Sequence, residues 1–332
     1  MDSLTQIVLG AAVGEVVLGK KVGNKAMLYG AIAGTIPDLD VLVGNLYDTV
    51  TALEIHRGFS HSLLFSIVAA PMFGYILSKM HQHASWKDWS WLMFWGLFTH
   101  PLLDCFTTWG TQLFWPFDLR IAFKTIFVID PLYTLPFLIC LIAASRLKRT
   151  SDRRRKLNRL GLILSSMYLL FSLVMKGITF LKFEKALHQQ SITYSELETK
   201  PSPFNTLLWS ANVKTEEHFL IGEYSVFDTQ PIVFRSYPKH HELITHLKSY
   251  DNLQRLIDVT GGWYTVTEKK DELFLNDLRF GLLSLNPESK RFAFSYRLEQ
   301  KSGEGLQIYE EPKAPDDAQE LMSELWLRLQ GN

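Results

Sequence analysis

Leu160-Gly161-Leu162-Ile163-Leu164-Ser165-Ser166-Met167-Tyr168-Leu169-Leu170-Phe171-Ser172-Leu173-Val174-Met175-Lys176-Gly177-Ile178-Thr179-Phe180-Leu181 carries Lys176 as its one charge. A helix needs about 20 such residues to cross the hydrocarbon layer of a bilayer, so the stretch predicts a membrane span. Just before it lies Arg146-Leu147-Lys148-Arg149-Thr150-Ser151-Asp152-Arg153-Arg154-Arg155-Lys156. So basic a loop is expected on the cytoplasmic side. Working back, five more apolar segments can be drawn, at roughly 4–19, 26–44, 62–78, 89–104 and 126–145. The first and fourth are short for full spans and are read as tilted, re-entrant or buried among the others.

The averages, 47% hydrophobic and 20% charged, hide an asymmetry. Nearly all long apolar runs fall before residue 182, and the remainder has the charge density of a soluble sequence. There, Leu220–Phe227, Trp263–Val266 and Arg291–Leu298 read as strands, 240–257 and 315–330 as helices, and Thr260-Gly261-Gly262 as a turn into a strand. The expected fold is a membrane all-α helical bundle over 1–183, followed by a small soluble α+β domain over 184–332. A net charge of +0 argues against nucleic acid as a partner, because backbone binding needs a basic surface. Cys105 and Cys140 both lie in the apolar half and do not suggest a disulfide framework. The first apolar run lacks a basic leader, so no cleavable signal is read there.

With the basic run inside, alternation of the spans puts 45–61 and 105–125 outside and Lys20, Lys21 and Lys25 inside. The expected protein is a multi-pass protein of a bacterial inner membrane with its C-terminal domain extracytoplasmic. Three polar motifs then reach one face: Pro37-Asp38-Leu39-Asp40, His56-Arg57-Gly58-Phe59-Ser60-His61-Ser62 and His100-Pro101-Leu102-Leu103-Asp104. Ionisable groups cost several kcal/mol in such surroundings unless paired, hydrated or bound to an ion. Asp and His are also the usual ligands of hydrolytic zinc and manganese.

Asp38 and Asp40 are two apart, so both carboxylates can reach one ion; the plainer alternative is a helix cap. His56 and His61 flank Gly58, and a turn there would aim both imidazoles at one centre. Arg57 between them suits a phosphate or oxyanion clamp, with an arginine snorkelling at the membrane edge as the alternative. His100 and Asp104, at i and i+4, share a helical face. These six (Asp38, Asp40, His56, His61, His100 and Asp104) are the expected metal ligands, with zinc favoured and manganese the second choice. Ser60 and Ser62 read as ligand-orienting or, more simply, capping residues. Asp118, Arg120 and Asp130 join the same side; Asp130 is taken with Arg57 as catalytic, against a helix-cap alternative. Glu15, inside the first apolar segment, pairs with one of these groups or faces a cavity. His81 and His83 read as solvated, and His240, His241 and His246 as an incidental surface cluster.

Residues 1–145 resemble the YdjM-type family of membrane-bound metal-dependent hydrolases, some described as LexA-regulated. The resemblance is carried by Met1-Asp2-Ser3-Leu4-Thr5 with Gly10, Gly34-Thr35-Ile36-Pro37-Asp38-Leu39-Asp40, the His56–Ser62 and His100–Asp104 motifs, and Trp115-Pro116 with Ile129-Asp130-Pro131. Many members carry a histidine shortly after the start, where this chain has Gln6. The family is similar to zinc-dependent phospholipase C and P1 nuclease, which implies phosphoester hydrolysis by a metal cluster in a helical fold. The expected function is hydrolysis of a phospholipid or other lipid-linked phosphoester at the outer membrane face. A metal or proton transporter ranks second, since transport wants acidic groups at the midplane or on both sides. A membrane-anchored binding scaffold ranks third, because it leaves the motifs unexplained.

Overall fold

The computed structural model describes residues 1–284, 291–301, 305–312 and 318–332, and the chain divides into two compact units. The first comprises Met1–Val43, Ile55–Val174 and Pro203–Asn205; the second Gly44–Glu54, Met175–Ser202 and Thr206–Asn332.

Helices build the first unit: α1 (Ser3–Val22), α2 (Asn24–Thr35), α3 (Asp40–Gly44), α5 (Leu63–Met80), α6 (Trp86–Asp104), α7 (Pro131–Ser145) and the leading part of α8 (Asp152–Gln189). A further helix, α4 (Thr49–Ile55), falls almost wholly in the second unit. Among the described residues, four helical stretches are long and apolar enough to cross a membrane: Ser3–Val22, Asn24–Gly44, Leu63–Met80 and Asp152–Gln189. The first is longer than its apolar core implied, because Lys20 and Lys21 extend it. Conversely, helix does not occupy 126–130 of the segment drawn at 126–145; Asp130 caps α7 with its carboxylate, and Pro131 opens the helix.

Lipid is as apolar as a leucine side chain, so helices in a bilayer associate by close packing, not by escape from water. Here α1 and α2 meet through glycines. A Cβ on Gly10 would lie 2.2 Å from the Gly30 carbonyl oxygen, and one on Gly14 would lie 2.2 Å from that of Ala26. Glycines four apart on both helices (Gly10 with Gly14, Gly30 with Gly34) let the backbones touch. That contact fixes where α2 ends, and hence where Asp38 emerges. On one side of α1, Val8, Ala11 and Ala12 pack with Leu103, Tyr133, Phe137 and Leu141. Towards its other end, Leu18 joins Ala26, Ala33, Trp89, Leu92 and Leu97.

Glu15 pairs with neither a motif residue nor a cavity. Its carboxylate accepts two hydrogen bonds from Arg154, Nε to Oε1 and Nη2 to Oε2, each at 2.6 Å. Nη1 of Arg154 donates to Asn24 Oδ1 at 2.7 Å and to the Leu147 carbonyl at 2.9 Å. Both partners are buried. The basic run is therefore more than a topology signal: α8 begins at Asp152, inside the run, and turns Arg154 into the bundle.

In the second unit, β1 (Glu196–Pro201), β2 (Leu208–Lys214), β3 (His218–Ser225) and β4 (Phe234–Pro238) form an antiparallel meander, as do β5 (Tyr264–Lys269), β6 (Glu272–Leu282), β7 (Phe292–Lys301) and β8 (Gly305–Glu310). A 3-10 segment (His241–Leu247) and α9 (Asp251–Thr260) lie between the sheets in sequence; α10 (Ala318–Leu329) ends the described helices. The soluble α+β expectation holds in outline, with the strands at 220–227, 263–266 and 291–298 falling in β3, β5 and β7. The helix drawn at 315–330 runs from Ala318; residues 315–317 lie outside the described ones. Gly261 and Gly262, with φ of 61° and 75°, end α9 and lead into β5 as the Thr260-Gly261-Gly262 reading required.

Two features depart from a boundary at 183/184. Residues 175–189 of α8 belong to the second unit, where Met175, Phe183 and Ala186 pack on Trp209 and Ala211. Val50 and Leu53 of α4 enter the core of Leu253, Leu256, Tyr296 and Leu298, while Arg255 grips Glu54 and donates to Thr51 Oγ1 at 2.8 Å. His241 is half-buried: its Nε2 meets the Tyr264 carbonyl at 2.9 Å, its ring stacks on Tyr264, and burial pushes its pKa down. His240 contacts Glu242, so the three histidines do not gather on one centre.

Candidate metal centre

Each ligand candidate is delivered by the end of a helix. The 3-10 turn Ile36–Leu39, stiffened by Pro37, closes α2 and presents Asp38. A second 3-10 turn, Phe59–His61, presents His61, after which Ser62 caps α5 by accepting from the Phe65 N–H at 3.0 Å. His100 and Asp104 sit one turn apart on the last turns of α6. One ligand atom from each of Asp38, His61, His100 and Asp104 lies within 4.8 Å of every other.

The separations match one ion. His61 Nε2 and His100 Nε2 are 3.1 Å apart. Asp38 Oδ1 is 3.4 Å from the first and 3.3 Å from the second. Asp104 Oδ2 is 3.6 Å from both. Ligands at about 2.0–2.1 Å from a tetrahedral ion stand about 3.3 Å from one another, so five of the six edges fall where such an ion would put them.

The hydrogen bonds favour the same interpretation. A carbonyl only accepts, so at 2.6 Å from the Gly34 oxygen His100 Nδ1 carries the proton, and Nε2 keeps its lone pair for the centre. His61 Nδ1 faces Asp40 Oδ2 at 3.3 Å and Ser60 Oγ at 3.0 Å, which likewise turns its Nε2 lone pair inward. Asp104 Oδ2 is fully buried and accepts no hydrogen bond among the described residues. Its nearest charged partner is the Arg57 guanidinium, Nε at 3.0 Å, and it also faces both histidine Nε2 atoms at 3.6 Å, so the guanidinium already answers part of its charge. Two carboxylates and two imidazoles around one point therefore form a set that could hold a metal ion.

Asp40 and His56 stand one layer out. Asp40 faces His56 Nδ1 at 3.2 Å and accepts from the Arg57 backbone N–H at 2.9 Å and Ser60 Oγ at 3.2 Å. With its contact to His61, this makes Asp40 the carboxylate that orients a ligand, a role as demanding as ligation itself. Of the six expected ligands the structure thus gathers four, and sets Asp40 and His56 behind them.

Arg57 is 5% exposed, which rules out snorkelling at the membrane edge. Its backbone has a φ of 60°, unusual away from glycine, and is held by the Asp40 carboxylate and by the Gln112 N–H on its carbonyl at 3.0 Å. The side chain puts Nε 3.0 Å from Asp104 Oδ2 as an ion contact and donates from Nη1 to Thr107 Oγ1 at 2.8 Å. Asp130 has the cap role of the alternative reading: it accepts from the backbone of Leu132 and Tyr133 and from the Tyr168 hydroxyl at 2.8 Å. None of its described contacts is with the four ligand residues. Arg120 reaches the His56 carbonyl, and Asp118 accepts from Gln112 Nε2 at 3.2 Å. His81 stays partly exposed, and it also meets the Tyr29 hydroxyl at 2.7 Å and packs on Trp89.

Three partners of the centre were not foreseen. Gln6 Nε2 donates to Asp104 Oδ1 at 3.0 Å, the Met1 amino group also contacts that oxygen, and Thr107 holds Arg57. For Gln6 a signal existed, since it stands where many members of the resembled family carry a histidine, and an amide at the head of the apolar run Ile7-Val8-Leu9 raises the same question as Glu15.

Residues 1–179 match the family described as YdjM inner membrane protein. Among curated proteins, inner membrane protein YbcI of Escherichia coli (strain K12) is 35% identical over 102 residues, or 30% of this chain. That stretch is 57% of YbcI, so the chain spans little more than half the length of this relative. No solved structure matches. The stretch shared with the family takes in every helix that carries a residue of the centre, and more than half of the sequence: the chain belongs to the YdjM inner membrane protein family.

Proposed function

We propose that the cluster is the centre of a membrane-bound metal-dependent hydrolase that cleaves a phospholipid or another lipid-linked phosphoester. The observation that carries this reading is the convergence of Asp38, His61, His100 and Asp104 at ligand spacing. A divalent cation bound there would supply a Lewis acid for phosphoryl oxygens and an activated water near neutral pH. The residues do the rest. Asp40 fixes the ring of His61, the Gly34 carbonyl fixes that of His100, and Arg57 keeps a guanidinium beside Asp104 Oδ2, ready to hold a phosphoryl oxygen.

A lipid substrate is favoured by what surrounds the motifs. Leu39, Val41, Leu42, Phe59, Trp115 and Phe117 are all exposed, and the Phe59 ring packs on Trp115. Apolar side chains beside a polar centre suit a molecule whose tail stays in the bilayer while its head is processed. The transporter reading gains less: the other intramembrane carboxylate, Glu15, is already saturated by Arg154.

The test is hydrolysis of phospholipid and lipid-linked pyrophosphate substrates in mixed micelles. Turnover should require added divalent cation, stop with chelator, and fall at least tenfold for Arg57→Lys, because an ammonium cannot reproduce the guanidinium fork. Cation-dependent flux through reconstituted vesicles, with no cleavage of any such substrate, would overturn the reading in favour of transport.

We place the second unit outside the cytoplasm, on the strength of the basic run at 146–159. A periplasmic reporter fused after Lys185 should be active and a cytoplasmic one silent; the reverse would move the centre to the inner face.

A further inference from the structure

Gln6 is 1% exposed, on the first turns of α1, and its amide is only half satisfied. Nε2 donates to Asp104 Oδ1 at 3.0 Å and reaches the His100 carbonyl at 3.4 Å. Oε1 is buried without a hydrogen-bond partner among the described residues. Rotating the amide would relieve nothing, since it would set Oε1 against a carboxylate and a carbonyl, which are acceptors too. The orientation is forced, and the orphaned oxygen follows from it.

A buried acceptor left unmade is costly, so this arrangement calls for a reason. Asp104 supplies it. Its Oδ1 is taken by Gln6 and by the Met1 amino group, whereas Oδ2 meets Arg57 Nε as an ion contact at 3.0 Å and faces the two histidine Nε2 atoms at 3.6 Å. A carboxylate free to swing would offer either oxygen, or both, to an ion. We propose that Gln6 is a positioning residue: its amide N–H₂ pins Oδ1 so that Asp104 presents Oδ2 alone to the cation, and its carbonyl oxygen receives the water or hydroxyl group that enters with the cation. This deepens the metal-centre reading and rests on it.

Three features support the assignment. Gln6 touches two of the four ligand residues, Asp104 through its side chain and His100 through its backbone. Its helix is locked to α2 at Gly10 and Gly34, so the amide is as fixed as the turn that delivers Asp38. Finally, an apolar side chain would satisfy the packing without leaving an acceptor unpaired, so packing alone does not account for an amide here.

The test is cobalt(II) titration of the detergent-purified full chain, followed by visible absorption, for wild type, His61→Ala, Gln6→Met, Asp104→Ala and the Gln6→Met/Asp104→Ala pair. Methionine keeps the length of glutamine and removes both polar atoms. Gln6→Met should weaken binding about 10- to 100-fold, the usual range for a lost partner of a ligand, and alter the cobalt spectrum as Asp104 swings. In the Asp104→Ala background it should change affinity by less than twofold, because its target is gone. If Gln6→Met fails to fold, Gln6→Asn keeps the amide one methylene short of Asp104 and should weaken binding in the same direction. Wild-type affinity and spectrum in whichever of the two variants folds, or the same loss with and without Asp104, would overturn the inference while leaving the centre intact. Equal cobalt binding by wild type and His61→Ala, or none by either, would instead remove the centre and this inference with it.

Discussion

Purified His61→Ala should retain no stoichiometric divalent cation where the wild type retains it. His61 is tied to every other ligand: its Nε2 lies 3.1–3.6 Å from the ligand atoms of His100, Asp38 and Asp104, and its other nitrogen faces Asp40. Removing it leaves two carboxylates and one imidazole, with mutual repulsion no longer bridged. Asp104→Ala should weaken binding while leaving it measurable in a cobalt titration, because Asp38, His61 and His100 remain, and it adds a second lesion, because Arg57 at 5% exposure then loses its counter-charge. Asp40→Asn should be milder, with a loss of about 10- to 100-fold in affinity, since an amide keeps the shape but offers one acceptor oxygen where the carboxylate offers two to the groups around it. Metal analysis by mass spectrometry after size exclusion gives the order. An Asp40→Asn protein as empty as His61→Ala would mean that Asp40 ligates directly.

The second large effect is on stability. Glu15→Ala should destabilise the helical unit by about 3–5 kcal/mol, the cost of leaving one member of a buried pair unanswered. Arg154→Met alone should cost a similar amount. The double change, Glu15→Leu with Arg154→Met, should recover most of it, because two well-packed apolar side chains replace two mutually dependent charges. Thermal unfolding in detergent, monitored by circular dichroism, reads all three. The contact lies nine residues beyond Gln6 on α1, about 14 Å along the helix, so cation binding in the double variant should stay within twofold of wild type. Additive losses would contradict the pairing.

How much could be read beforehand follows from what each signal measures. The helical half and its polar motifs were legible because charge in an apolar run is expensive, so each Asp or His there asks for a partner. The same argument applied to Glu15 raised the right question but named the wrong partner, since Arg154 was counted within a loop. Charge density marks a loop only until a helix begins inside it, and α8 begins at Asp152. The six-ligand set was legible as a group and not in its layers. Spacing along the chain cannot tell Asp38 from Asp40; only the two 3-10 turns do, by aiming one carboxylate inward and the other at His61 Nδ1. Likewise, Asp130 before a proline reads equally as cap or catalyst until Leu132, Tyr133 and Tyr168 are seen to take its oxygens.

Non-local pairing set the other limit. Three C-terminal strands were readable, whereas β1, β2, β4, β6 and β8 declare themselves only by pairing with a neighbour. Within the stretch 45–61, placed outside as a connection, Val50 and Leu53 are apolar for a partner some two hundred residues away, around Leu253 and Leu256. The glycine spacing at 10, 14, 30 and 34 was visible, yet its meaning depends on α1 and α2 facing each other.

X-ray absorption of the zinc-loaded wild-type protein tests the central claim most directly. A centre built from Asp38, His61, His100 and Asp104 predicts one zinc per chain, a first shell of nitrogen and oxygen at about 2.0–2.1 Å, and outer-shell scattering from two imidazole rings that disappears in His61→Ala. A shell of six oxygens without imidazole, a sulfur neighbour from Cys105 or Cys140, or a spectrum unchanged by His61→Ala would contradict it.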